Sequence, residues 1–135
     1  MKKYTAKSDH PDSSALNHEC YQRGCELFLA RRYNKAKLEF KEALAYWPQD
    51  PQAWMALGNC DDALNHPKAA ERSFRRALQY CQDADRHGIL FNLANSLLDQ
   101  ALYDAAIELY EQIPAESDVY AKAQRNLGIA RKGPQ

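Results

Sequence analysis

The sequence predicts an all-α fold, an α-solenoid of antiparallel helix pairs with about seven helices. Three observations predict it. Small and aromatic residues recur at one period: Gly24, Phe40 and Ala43 return 34 residues later as Gly58, Phe74 and Ala77, and Ala36 returns as Ala70. A step of 36 then gives Ala94, Ala106, Tyr110 and Ile113, and a further 34 reaches Gly128 within Asn126-Leu127-Gly128-Ile129-Ala130. Within each unit the apolar residues follow helical spacing. Prolines and turn residues fall between the helices, where a chain that reverses direction needs them. A unit of this size cannot bury its apolar stripe alone, so neighbouring units must stack.

Residues 1–12 are polar, with Pro11 near the end, and are expected to form a disordered N-terminal arm. Asp12 or Ser13 is placed to cap the first helix, over about 13–30. Leu16, Cys20, Gly24, Leu27 and Phe28 share one face of it. Glycine weakens a helix interior, so Gly24 is expected where a partner helix comes too close for a Cβ. After the turn at Arg31-Arg32-Tyr33, the partner helix covers about 34–46, with Ala36, Phe40, Ala43 and Leu44 inward. Pro48 and Pro51 stop it, and Asp50 caps the next helix with Pro51 at its first position.

In the second unit Asn65 suits a left-handed helix end and Pro67 a helix start. Ala70, Phe74, Ala77 and Leu78 then face inward, while Lys68, Arg72, Arg75 and Arg76 fall outward, as a solvated face by preference and, as the alternative, a basic patch for an acidic partner. The two extra residues of the longer step fit in the stretch 83–86, and the third unit begins near Arg86. Its first helix carries Leu90, Leu93, Ala94 and Leu97. Its second carries Leu102, Ala106, Ile107, Leu109 and Tyr110 and ends early at Pro114. Ser117 caps a last helix over about 118–132, with Ala123, Leu127 and Ala130 inward and Gln124, Arg131 and Lys132 outward. An end-capping helix of this kind covers the apolar end of a stack. The domain spans 13–132, with units at about 17–50, 51–84 and 87–120, and residues 133–135 form a tail. Phe40→Ala or Phe74→Ala is expected to cost roughly 3–5 kcal/mol.

Composition narrows the function. The formal net charge is +0, so no large field favours nucleic acid or a membrane surface. No run is long and apolar enough for a spanning helix, and residues 1–10 lack the apolar stretch of a secretory signal. A cytoplasmic setting is expected. Cys20, Cys25, Cys60 and Cys81 make no C-x-x-C pair, so they read as small hydrophobes in a reducing compartment. His10, His18, His66 and His87 are scattered. His18 and Cys25 share a helix face without further ligands at metal spacing. Phosphate loops and nucleophile elbows are absent from the sequence. Asp61 and Asp62, being adjacent, point apart on a helix and read as solvated. No cofactor, no metal and no catalytic residue is expected.

The segment Trp54-Met55-Ala56-Leu57-Gly58, followed by Ala70, Phe74 and Ala77, resembles the tetratricopeptide repeat (TPR), a helix–turn–helix unit of about 34 residues. Asp61 departs from it, because the pattern wants an aromatic there. The resemblance covers about 17–132 and implies a right-handed superhelix of three repeats plus the capping helix. It also implies a non-enzymatic protein–protein interaction module, adaptor or chaperone-like, holding a peptide or helix of a partner protein in a concave groove. Counted from the glycine of each unit, the groove positions are Tyr21, Gln22, Cys25 and Phe28; Met55, Ala56, Asn59 and Asp62; Phe91, Asn92, Asn95 and Asp99; and Lys122, Arg125, Asn126 and Ile129. An amide both donates and accepts, so Gln22, Asn59, Asn92, Asn95 and Asn126 suit an extended backbone. Tyr21, Phe28, Met55 and Phe91 are candidate apolar anchors. Asn92→Ala combined with Asn95→Ala is expected to weaken binding with the melt nearly unchanged. The family's carboxylate clamp would use Tyr21, Cys25, Ala56, Gly88 and Asn92, none of them basic, so clamp activity is not expected. The alternative is a structural self-assembling scaffold subunit, with a homodimer as one possibility.

Overall fold

The computed structural model describes residues 6–134. Seven α-helices follow in order: α1 (Ser13–Leu29), α2 (Tyr33–Tyr46), α3 (Pro51–Ala63), α4 (Pro67–Tyr80), α5 (Asp83–Asp99), α6 (Tyr103–Glu111) and α7 (Tyr120–Lys132). Consecutive helices pack on one another from α1 to α7, and α1 also touches α3, as α5 touches α7. The first helices of successive pairs thus lie side by side, the arrangement of an α-solenoid.

The repeat has a physical basis at its glycines. A Cβ built on Gly24 would lie 2.5 Å from the Phe40 ring, and one on Gly58 would lie 2.6 Å from the Phe74 ring. Each glycine therefore admits the aromatic ring sixteen positions later, and both rings are only 1% exposed. Gly128 has nothing within 4 Å of its would-be Cβ, because no second helix follows α7 among the described residues. That open side of α7 carries exposed Gln124, Arg131 and Lys132, while Ala123, Leu127 and Ala130 are buried against the third pair.

The turns repeat as closely. Arg31, Asn65 and Ala101 have φ of 62°, 61° and 61°. In each turn the next residue donates its amide five residues back: Arg32 to Leu27, His66 to Asp61 and Leu102 to Leu97, at 2.8–2.9 Å. This is the six-to-one closure of a helix ending in a left-handed residue. Asn65 suits that conformation. Arg31 and Ala101 adopt it because the packed pair dictates the turn.

Two apolar clusters make up the core. One gathers Cys20, Phe40, Leu44 and Leu57, the other Phe74, Leu90, Leu93 and Tyr110, and Trp54 packs against both. Where units one and two join, Asn17 is buried. Its Nδ2 donates to the Ala43 carbonyl at 3.0 Å and to Asp50 Oδ2 at 3.1 Å, while Asp50 Oδ1 accepts from the Gln52 amide at 3.0 Å. One carboxylate thus caps α3, as its position before Pro51 implies, and satisfies a buried amide of α1.

Several local expectations change. Neither Asp12 nor Ser13 caps α1 through its side chain: Asp12 holds the cap position without such a bond. Within the segment expected to be a disordered arm, Lys7–Asp9 form a 3₁₀ turn, and Lys7 pairs with Glu42 and sits 5.4 Å from the Tyr46 ring centre. Residues 1–5, the rest of that segment, lie outside the described residues, as does Gln135 of the expected tail. Helix α5 starts at Asp83 rather than near Arg86, and Asp83 and Asp85 in its first turn complement the helix dipole. Leu102 caps the start of α6 and is 45% exposed rather than interior. Ser117 Oγ accepts from the Val119 amide at 3.3 Å, closing a turn that delays α7 to Tyr120.

Candidate functional site

Helices α1, α3, α5 and α7 carry every groove position counted from the sequence. Tyr21, Phe28 and Asn59 meet in one cleft of about 240 Å³, together with Cys25, Leu29, Phe40 and Ala56. Phe40 supports its wall, with the Tyr21 ring centre 5.7 Å away. Phe28 stands edge-on to Tyr33 at 5.2 Å. Burial pushes the Tyr21 phenol up to about 12, with Cys25 a smaller contributor, so Tyr21 offers a neutral hydroxyl. Leu29, 82% exposed at the cleft's edge, was not among the positions counted from the glycines. Its signal was an apolar residue in the last turn of a helix.

The amides cross-link the first helices. Asn92 donates to Asn59 Oδ1 at 3.4 Å, joining α5 to α3, and Asn126 donates to Asn95 Oδ1 at 2.9 Å, joining α7 to α5. The same Asn95 oxygen accepts the Tyr110 hydroxyl at 2.5 Å. Part of the capacity assigned to a peptide backbone is therefore spent inside the stack. Tyr110 is 0% exposed, and Asn95→Ala would leave its hydroxyl without that acceptor, at a cost of about 1–3 kcal/mol. The expectation that Asn92→Ala combined with Asn95→Ala leaves the melt nearly unchanged is corrected accordingly.

The remaining positions are distributed along the same helices. Phe91 is half-buried, its ring centre 6.2 Å from that of Tyr110. Met55 belongs to a different hollow of about 380 Å³, lined also by Asp85, His87, Gly88, Asp118 and Val119. Gln22 on α1 and Arg125 and Lys122 on α7 are exposed, so the structure does not gather them with the cleft. Burial, and secondarily the charge of Asp99, raises the Asp62 carboxyl above its ordinary value; burial raises Asp99 too. Among the described residues no group of three or more His, Cys, Asp or Glu could hold a metal ion, and no helix is long and apolar enough to cross a membrane.

Asp61 is not solvated. It is 3% exposed and accepts an ion-pair hydrogen bond from Lys37 of α2 at 2.7 Å, with His66 Nδ1 at 3.8 Å. The residue that breaks the aromatic pattern brings its own cation from the preceding pair. Sequence spacing gave no sign of it, because Lys37 and Asp61 lie in different units.

Residues 27–85 match the family model described as tetratricopeptide repeat. No curated protein matches the sequence. Among solved structures, the Yersinia enterocolitica type III secretion chaperone SycD, in complex with a peptide of the translocator YopD, is similar at a TM-score of 0.81 and 16% identity, over 91% of this chain and 98% of that one. The first TPR of Spaghetti (RPAP3), bound to the HSP90 peptide SRMEEVD, is similar at 0.78 and 13%, over 88% and 93%. PcrH, in complex with the chaperone-binding region of PopD, is similar at 0.71 and 20%, over 85% and 90%. At these identities the likeness concerns the fold. The repeated helix pairs, their glycine–phenylalanine contacts and the match over 27–85 give this chain the fold of stacked tetratricopeptide repeats, with residues 27–85 matching the repeat in sequence as well.

Proposed function

We propose that this chain is a non-catalytic protein–protein interaction module, adaptor or chaperone-like, that holds a peptide or helix of a partner protein against α1, α3, α5 and α7. The observation that carries the reading is the Tyr21–Phe28–Asn59 cleft, an apolar hollow of about 240 Å³ with an amide at its edge. A hollow of that size takes one or two apolar side chains of a bound segment, while Asn59 and Asn92 keep amide hydrogens for its backbone. Gln22, Met55, Phe91, Asn95, Arg125 and Asn126 extend the contact along the row. The fold supports the reading: tetratricopeptide repeats are generally an interaction scaffold, and similar structures carry peptides of their own partners. The same reading sets the chain in the cytoplasm, where four free cysteines, two of them buried, stay reduced.

The test is capture of partners from the source cell by wild type and by Ala56→Arg. Ala56 is a half-buried wall of the cleft, so arginine fills the hollow. A partner held by wild type and lost from a variant with an unchanged melt is the expected result. Equal capture by both overturns the reading. Sedimentation at several concentrations addresses self-assembly, and a monomer throughout removes a homodimer.

A further inference from the structure

On the opposite side of the helix pairs, α2 and α4 flank a second cleft of about 340 Å³, floored by α3. Lys37 and Lys41 line it from α2, Arg72 and Arg76 from α4, and Trp54 and Asp61 from α3. Each pair of cations is four residues apart, hence on one helix face, and the two pairs face each other across the cleft. The floor is neutral: Asp61 is buried and holds Lys37 at 2.7 Å. The rim is not. Among the described residues no carboxylate lies within ion-pair distance of Lys41, Arg72 or Arg76, whereas Arg23, Arg75 and Arg131 each have one, at 3.0–3.2 Å. Arg76 lies 5.9 Å from the Trp54 ring centre, and Leu57 and Ala69 complete an apolar wall beneath the charges. In a chain of formal net charge +0, three uncompensated cations around one hollow are a local excess, not a general basicity.

We propose that this cleft docks an acidic segment of a partner protein, with glutamate or aspartate carboxylates between Arg72, Arg76 and Lys41 and an apolar side chain against Trp54. Arginine forks suit carboxylates. The buried Asp61 and the small number of cations disfavour a nucleic-acid backbone, which asks for many phosphate contacts and a broad positive field. For Arg72 and Arg76 the cleft thus favours the acidic-partner alternative over a solvated face, while Arg75 pairs with Glu71 on its own helix. This docking site is independent of the first-helix face.

Trp47 and Trp54 are the two tryptophans, so Trp47→Phe leaves Trp54 as the sole indole reporter. In that background, titration with an octaglutamate peptide should change Trp54 emission saturably, more weakly as salt rises. Lys41→Glu with Arg72→Glu, both exposed, should leave the melt intact and weaken binding by roughly ten-fold or more. Gln22→Ala with Arg125→Ala, on the other face, should leave binding within about two-fold. No saturable change, undiminished affinity in the charge-reversed variant, or displacement of the peptide by an equal concentration of oligothymidylate would each overturn the proposal.

Discussion

Gly58 and Gly128 occupy the same place in the repeat, yet alanine should act oppositely at the two. At Gly128 a Cβ meets nothing within 4 Å, and the site is an exposed turn of α7. Only the helix-interior cost of glycine changes, so Gly128→Ala should stabilise by about 0.5–1 kcal/mol. At Gly58 the same gain competes with a Cβ 2.6 Å from Cε1 of Phe74 and under 3 Å from two more ring atoms. That ring is 1% exposed, so it cannot swing out into solvent. Overpacking of this kind costs about 1–3 kcal/mol, so Gly58→Ala should destabilise by roughly 1–2 kcal/mol net. The two variants would then differ by about 2–3 kcal/mol, or several degrees in Tm. Urea denaturation followed by circular dichroism measures both. Adding Phe74→Leu to Gly58→Ala should recover part of the loss, with a coupling of at least about 0.5 kcal/mol. If both alanines shift stability in the same direction, the close approach of ring and backbone is not what maintains glycine in the repeat.

Other outcomes follow from the same structure. Phe74→Ala empties a site shared by the second and third pairs and should cost about 3–5 kcal/mol in the same denaturation assay. Ala101→Gly should stabilise by roughly 0.5–1 kcal/mol, since φ of 61° at Ala101 is strained for a residue with a Cβ; a loss of stability would mean the methyl group is packed. Asp50→Ala removes the α3 cap and a partner of buried Asn17 and should cost about 1–3 kcal/mol, read as a lower midpoint in urea. Asp62 is held above its ordinary 3.8 in the folded state. Its charged form therefore opposes folding at neutral pH, and the penalty fades as pH falls through the raised value and then through 3.8. Asp62→Asn should accordingly raise the Tm near neutrality, and the gain should close in acid; a pH-independent gain would assign the effect to something other than the carboxylate charge.

What the sequence determined by itself was whatever repeats or acts locally. The period located all seven helices, because each unit must present the same small and aromatic residues to its neighbour. Asp50 as a cap, Asn65 as a left-handed stop and Gly24 as a close approach followed from backbone chemistry within a few residues. The tertiary structure decided the pairings between units. It joined Lys37 to Asp61, set Asn95 between Tyr110 and Asn126, and turned four cations of α2 and α4 toward one cleft. It also forced Ala101 into a turn that its own preferences resist. Periodicity tells which side chains face inward, but the partner each one meets depends on how far a neighbouring helix slides and rotates. That setting is chosen by the packing of all the pairs together.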